Sequence, residues 1–175
     1  MSENAPSLLA GRNSAPLTQE QIHRASQTFL SLERRINARH EAGRRTVFRV
    51  AIDDEGHQYG EVVFGSDIYP GQDILNPNSS MSLLAAAAHE LTHYHRWHDL
   101  TALSDDDLEH IDEALTSLEA ISRYRTSLSE NDILLLVGDA IERLKLFVRQ
   151  QATEASPAEV SSGGTPPDAT LAEAT

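Results

Sequence analysis

The chain has 175 residues, which is enough for one domain with a hydrophobic core and too few for two domains to be expected. Its net charge is −13, and an acidic protein repels phosphate backbones, so direct nucleic-acid binding is not expected. The acidity either serves solubility or selects a basic protein partner. The chain contains no cysteine, which excludes disulfides and thiolate metal sites.

The apolar segments are all short. Residues 7–11 are apolar but have no basic residue before them, so a signal peptide is not predicted. The apolar runs at residues 83–88 and 133–137 are too short to span a bilayer. We therefore predict a cytoplasmic protein without membrane association.

The two ends differ in composition from the middle of the chain. Residues 1–16 mix Ser, Asn, Pro and Gly without periodicity, and residues 152–175 are rich in Pro, Gly and acidic residues. Neither end has enough apolar surface to offset the entropy cost of ordering, so both are predicted to be disordered. The domain is expected to occupy residues 17–151.

The first predicted element is a helix. Residues 18–21 read as a capping box, and Gly43 supplies the end of the helix after about Glu41. The apolar residues between them recur at helical spacing: Ile22, Ala25, Phe29, Leu32 and Ile36.

A small sheet is predicted next. Residues 46–52 alternate in polarity and are rich in β-branched side chains, which favours a strand. Residues 53–56 form its turn and residues 59–64 the returning strand. Residues 73–76 are a possible third short strand.

Three helices complete the predicted α+β domain. The first runs over about residues 81–98 and is capped by residues 78–80; the second covers 105–125, and the third begins at a cap in residues 129–132. Spacing assigns the second helix a buried stripe formed by Leu108, Ile111, Leu115, Leu118 and Ser122. The same argument buries Ile133, Val137, Ile141, Leu144 and Val148 on the third helix.

The first of these helices carries the motif His89-Glu90-Leu91-Thr92-His93. Residues four apart lie on one helix face, so the two histidines can bind a single metal ion. Glu90 lies about 100° around the helix from His89, where it can hold a water on the open coordination site. This combination suits metal-assisted hydrolysis, in which the carboxylate takes a proton from the water and returns it to the leaving amine.

The context of the motif supports a functional interpretation. A chance HExxH is expected on the order of a few per cent of the time. Here the motif follows an apolar turn at residues 83–88, typical of a helix buried beneath a sheet. A polar His-Glu pair at the end of such a stretch is costly without a partner such as a metal.

The other residues of the motif helix are less suited to the same ion. His95 and His98 project about 120–140° away from the two motif histidines, which indicates surface or supporting roles. Trp97 lies on the same side as His93 and is expected to pack rather than to bind substrate.

A catalytic zinc site takes three protein ligands and a water, so one ligand is missing from the motif. The following helix offers four candidates. They are His110, Asp112, Glu113 and Glu119, and helix geometry alone leaves the choice open.

The chain resembles the small gluzincin peptidases of the ImmA/IrrE (M78-like) family. The resemblance covers about residues 46–125 and is carried by residues 73–80, the alanines of 85–88 and the HELTH motif at 89–93. It implies a minimal zincin-like fold with Zn²⁺ as cofactor. In that family a glutamate ligand, often followed by alanine, comes about twenty residues after the motif, and Glu113-Ala114 occupies this position.

The resemblance implies His89, His93 and Glu113 as zinc ligands, with Glu90 as the general base. The family usually has an aromatic residue at the position of Glu119, so Glu119 is the second candidate for the third ligand. The resemblance also implies cleavage of a repressor-like, DNA-binding protein partner in response to stress, phage or mobile elements.

Three alternatives to a peptidase belong to other classes of protein. A zincin-like binding module without catalysis is disfavoured by the presence of Glu90. A carboxylate-rich helical metal protein requires a second ExxH on another helix, which the sequence lacks. A purely structural helical domain with chance histidines is separated from the others by metal analysis of the purified protein.

Overall fold

The computed structural model describes residues 11–154, and the predicted α+β class is confirmed. Within this range three strands form one sheet, and helices cover it. None of the described helices has the length and apolar character needed to cross a membrane. The elements in chain order are α1 Gln19–Leu32, β1 Asn37–His40, β2 Val47–Ile52, β3 Gln58–Phe64, α2 Pro77–Ser80, α3 Leu83–His98, α4 Glu109–Tyr124 and α5 Glu130–Glu154, with 3₁₀ turns at Ser66–Ile68 and Asp106–Leu108.

The first helix is shorter than the sequence predicts. Thr18 forms the expected capping box with Gln21, but α1 ends at Leu32 rather than near Glu41. Residues 37–40 instead form β1, which pairs in parallel with β3. Ile36 is still buried, although it lies on the connection to β1 and not on a helix face. The prediction is wrong here because pairing with a distant strand overrides a local helical pattern.

The sheet has the strand order β1-β3-β2. The predicted hairpin is confirmed: β2 pairs antiparallel with β3 from Val47 opposite Val63 to Ile52 opposite Gln58. The third strand is β1 and not residues 73–76, which form a turn before α2. Because β3 is central, the outer edge of β2 is unpaired among the described strands.

Helix α3 lies at the centre of the fold. Ser82 caps it by accepting a hydrogen bond from the backbone N–H of Ala85, and its first turns are buried as predicted. It packs against the sheet, α1, α4 and α5. The core around it contains Phe29, Val62, Phe64, Ile68, Leu91 and Leu136.

The buried faces of α4 and α5 differ from the predicted ones. On α4, Leu115 and Leu118 are exposed, and on α5 so are Ile141, Leu144 and Val148. The inward positions are occupied mainly by small and polar residues: Ala114, Thr116, Ser117 and Ala120 on α4, and Asp132, Leu136, Asp139, Ala140 and Arg143 on α5. Apolar spacing misplaces both faces because the inner surfaces of these helices are polar.

The described range also bears on the predicted ends. Arg12 and Asn13 bind backbone carbonyls of the Ser66–Ile68 region, so the described structure begins before the predicted boundary at residue 17. Helix α5 continues to Glu154, past the predicted boundary at residue 151. The disorder predicted for residues 1–10 and 155–175 lies outside the described residues.

Asp132 connects the starts of two helices. Its carboxylate accepts hydrogen bonds from the Ser82 hydroxyl (2.6 Å) and the Ser129 hydroxyl (2.7 Å). Burial raises the pKa of Asp132, but these hydrogen bonds outweigh it and hold the pKa below its usual value. The ionised carboxylate therefore stabilises the caps of both α3 and α5.

We expect Asp132→Asn to lower the free energy of unfolding by about 1–3 kcal/mol at neutral pH, because buried hydrogen bonds to a charged group are lost. Since the folded-state pKa is lowered, this stabilisation is present above the unfolded-state pKa of about 4 and is lost as pH falls through the folded-state value. Urea denaturation should thus show a difference from wild type at pH 7 that shrinks below about pH 4. A difference that grows in acid would contradict this assignment.

Candidate metal centre

Three of the predicted ligands lie together. His89 and His93 on α3 face Glu113 on α4, and one ligand atom from each lies within 4.8 Å of the other two. The separations are 3.1 Å between the two Nε2 atoms, 3.2 Å from His89 Nε2 to Glu113 Oε2, and 3.3 Å from His93 Nε2 to Glu113 Oε1. This is the only such group of three among residues 11–154.

These separations fit a tetrahedral metal. With zinc–ligand bonds of about 2.0–2.1 Å, tetrahedral geometry separates neighbouring ligand atoms by about 3.3 Å. The group supplies three ligands, which leaves a fourth position for water, as catalytic zinc sites require. His89, His93 and Glu113 can therefore hold zinc without rearrangement of the helices.

A buried network orients His89. Its Nδ1 lies 2.9 Å from the Ser117 hydroxyl, which donates its own proton to Asp139 Oδ2 at 2.7 Å. Ser117 must therefore accept from His89 Nδ1–H, so the proton lies on Nδ1 and the Nε2 lone pair faces the ligand group. Supporting hydrogen bonds of this kind fix the tautomer of metal-binding histidines.

The same network reaches the carboxylate ligand. Asp139 is fully buried and also contacts Asn78 Nδ2 and Arg143 Nε, both at 3.2 Å. Arg143 in turn lies 3.0 Å from Glu113 Oε2. Helices α2, α4 and α5 thus jointly position two of the three ligands.

The electrostatics of the group keep its carboxylate ionised. Burial alone raises the pKa of Glu113, but its close contacts with the His89 and His93 imidazoles outweigh burial and hold the pKa far below the usual value. For His93, burial lowers the pKa, and the hydrogen bond and charge of Glu113 raise it above the ordinary value. A negative carboxylate is the form that binds a cation.

Glu90 is held by a hydrogen bond from the sheet. Its Oε2 accepts a hydrogen bond from the backbone N–H of Phe48 on β2 at 3.0 Å. Both Glu90 and the ligand group line a cleft of about 530 Å³, which β2 borders through Val47 and Phe48. The backbone of β2 therefore holds the Glu90 carboxylate in the cleft that the ligand group also lines.

The two other acidic candidates, Asp112 and Glu119, form ion pairs elsewhere. Buried Arg96 binds Asp112 at 2.6 Å and Glu119 at 3.1 Å, and Glu119 also binds Arg123. Neither acid, nor His110, joins the ligand group within the described range.

The remaining residues of the motif helix have packing or surface roles. His95 lies 3.2 Å from the Tyr124 hydroxyl, and His98 is exposed beside Asp99. Trp97 packs against Phe48, with ring centroids 5.8 Å apart.

Sequence reasoning missed the supporting residues. Asp132, Asp139 and Arg143 are spaced by seven and four, so they share one face of α5. This charged stripe at helical spacing was the available signal. Ser117 and the backbone N–H of Phe48 had no such signal, because their roles depend on how distant segments pack.

We expect Asp139→Asn to lower zinc affinity about 10–100-fold, the usual effect of removing a supporting hydrogen-bond partner. Ser117 would lose its charged acceptor, and His89 would no longer be held in one tautomer. Competition with a chelating zinc dye measures the change. Glu142→Gln, on the outer part of the same helix and paired there with Lys145, should leave the affinity unchanged. Equal affinities of the Asp139 variant and wild type would contradict the role of the network.

Comparison of the chain with protein-family models, with curated proteins and with solved structures found no match in any of the three.

Proposed function

We propose that the protein is a zinc-dependent endopeptidase. The observation that carries this proposal is the placement of Glu90 beside the group formed by His89, His93 and Glu113. Three ligands with an open fourth position and an adjacent carboxylate are the components of metal-assisted hydrolysis.

The residues divide the reaction between them. A zinc ion held by His89, His93 and Glu113 would polarise a carbonyl and lower the pKa of a water towards about 7. Glu90 would then act as the general base that accepts a proton from the attacking water and as the acid that delivers it to the leaving amine. Phe48 orients Glu90 through its backbone N–H, and Ser117 orients the His89 imidazole through Nδ1.

The free edge of β2 suits an extended substrate. The N–H of Phe48 points away from β3 towards Glu90. In an antiparallel pair the orientation alternates, so Val50 and Ile52 also direct their backbone groups outward. A substrate segment that adds to this edge gains main-chain hydrogen bonds and passes the ligand group.

The motif resemblance adds a biological setting to the proposal. It favours cleavage of one protein partner, a DNA-binding transcriptional repressor, in stress or antiphage signalling by a cytoplasmic enzyme of the ImmA/IrrE type. Such an enzyme recognises its partner by contacts around the cleaved bond, so generic substrates such as casein are expected to be cut poorly.

The test is co-expression with the product of the neighbouring gene, followed by a search for a cut fragment. Wild type should produce a fragment with one defined new terminus, and chelation of the metal should prevent it. Repeating the assay with the purified partner and zinc-loaded protein excludes cleavage by host proteases. An intact partner under these conditions, with a stable complex between the two proteins, would favour a binding module over an enzyme.

A further inference from the structure

A second groove adjoins the cleft. It has a volume of about 520 Å³ and shares Arg12, Arg45 and Asp67 with the cleft. Arg44 also lines it, so three arginines surround this groove. On a chain with a net charge of −13, this is a local concentration of positive charge.

Asp67 is the one acidic residue that lines the groove, and it forms no ion pair with the two exposed arginines, so the three arginines leave the groove positive. Asp67 Oδ1 accepts hydrogen bonds from the Thr46 backbone N–H (2.8 Å) and hydroxyl (2.6 Å). Arg45 is exposed and makes no hydrogen bond or ion pair with any residue in the described range. Arg44 is 73% exposed and reaches only Glu41, at 3.6 Å.

Arg12 forms the fixed wall of the groove. Its guanidinium donates hydrogen bonds to backbone carbonyls, among them Ile68 at 2.8 Å and Met81 at 3.3 Å. Carbonyl oxygens satisfy its N–H groups but carry no net charge, so the positive charge remains. Arg12 therefore adds to the field of the groove without being free to move.

The position of the groove along β2 determines on which side of the cleaved bond it lies. Arg45 precedes Phe48 by three residues, and the Phe48 N–H donates a hydrogen bond to Glu90. A segment that pairs antiparallel with β2 runs from Ile52 towards Val47. The residues that follow the cleaved bond then reach Arg45 and Arg44.

We propose that this groove binds an acidic segment of the substrate, on the C-terminal side of the cleaved bond. The inference rests on the proposed peptidase function for its orientation, and on the three arginines for its chemistry. Carboxylates and guanidinium groups form charge-assisted, often bidentate hydrogen bonds. The general acidity of the protein repels such segments elsewhere, which makes the groove selective.

The test measures binding without catalysis. The probes are fluorescent hexaglutamate and hexaglutamine peptides, with anisotropy recorded at low salt on the full chain carrying Glu90→Gln. Hexaglutamate should bind more tightly than hexaglutamine, and added salt should remove the difference. Adding Arg44→Glu and Arg45→Glu should weaken hexaglutamate binding about tenfold, since two exposed pairs are lost and replaced by repulsion.

A matched control exists in the chain. Arg34 and Arg35 are also adjacent and exposed, and they line neither cavity. Arg34→Glu with Arg35→Glu changes the net charge equally and should leave hexaglutamate binding nearly unchanged. Equal binding of the two peptides to the parent, or equal losses in the two double variants, would overturn the inference and leave the peptidase proposal intact. Selective hexaglutamate binding together with an uncut partner would support the acidic-segment site and contradict the peptidase proposal.

Discussion

Glu90→Gln should abolish cleavage of the partner while zinc content and fold stay as in wild type. Glutamine keeps the shape and can still accept the hydrogen bond from the Phe48 N–H, which Glu90 accepts at 3.0 Å. It cannot take a proton from water. Since general-base catalysis contributes about 10²–10⁴-fold, the loss should be visible in a simple gel assay.

Glu109 provides the control for this experiment. It lines the same cleft and is exposed, so Glu109→Gln makes the same chemical change without touching the ligand group. This variant should cleave at close to the wild-type rate. If Glu90→Gln cleaves the partner as fast as wild type, Glu90 is not the base and the proposed mechanism is wrong.

Removal of any one ligand should reduce zinc from about one atom per chain to a small fraction, because two ligands alone hold zinc weakly. We expect this for His89→Ala, His93→Ala and Glu113→Ala. Glu119→Ala should retain zinc, since Glu119 binds Arg96 and Arg123 instead. Elemental analysis of protein never exposed to chelator gives the result directly.

Two outcomes would change the assignment. Zinc loss in Glu119→Ala with retention in Glu113→Ala would move the third ligand to Glu119. If the alanine variant unfolds because buried Arg96 loses a partner, Glu119→Gln keeps a hydrogen-bond acceptor and answers the same question. If wild-type protein contains no transition metal, the proposal that it is a metallopeptidase is wrong.

Local pattern was sufficient for the motif and for the helix that carries it. His89, Glu90 and His93 needed only helical spacing, and the β2–β3 hairpin needed only alternation and a turn. Glu113 could not be chosen by geometry from sequence alone, because spacing left three other candidates. The packing of α4 against α3 distinguishes the candidates, because Glu113 contacts His93 whereas Asp112 contacts Arg96.

The errors have a common physical origin. Residues 37–40 form a strand because β3 offers a pairing partner from another part of the chain. The inward faces of α4 and α5 were misplaced because apolar periodicity assumes an apolar interior. Here the interior beside α5 holds Asp139 and Arg143, which contact Ser117 and Glu113. Departures of this kind from local rules are expected where a site is built.

The sheet touches the proposed base through a main-chain amide, that of Phe48. Every residue except proline supplies this group, so the hydrogen bond to Glu90 does not depend on the side chain at this position. The proposed ligands and the residues that support them lie on the helices from residue 77 onward. In the proposed enzyme, substitutions at the exposed positions Val47, Val50 and Ile52 can therefore change which partner is accepted while the hydrolytic machinery stays the same.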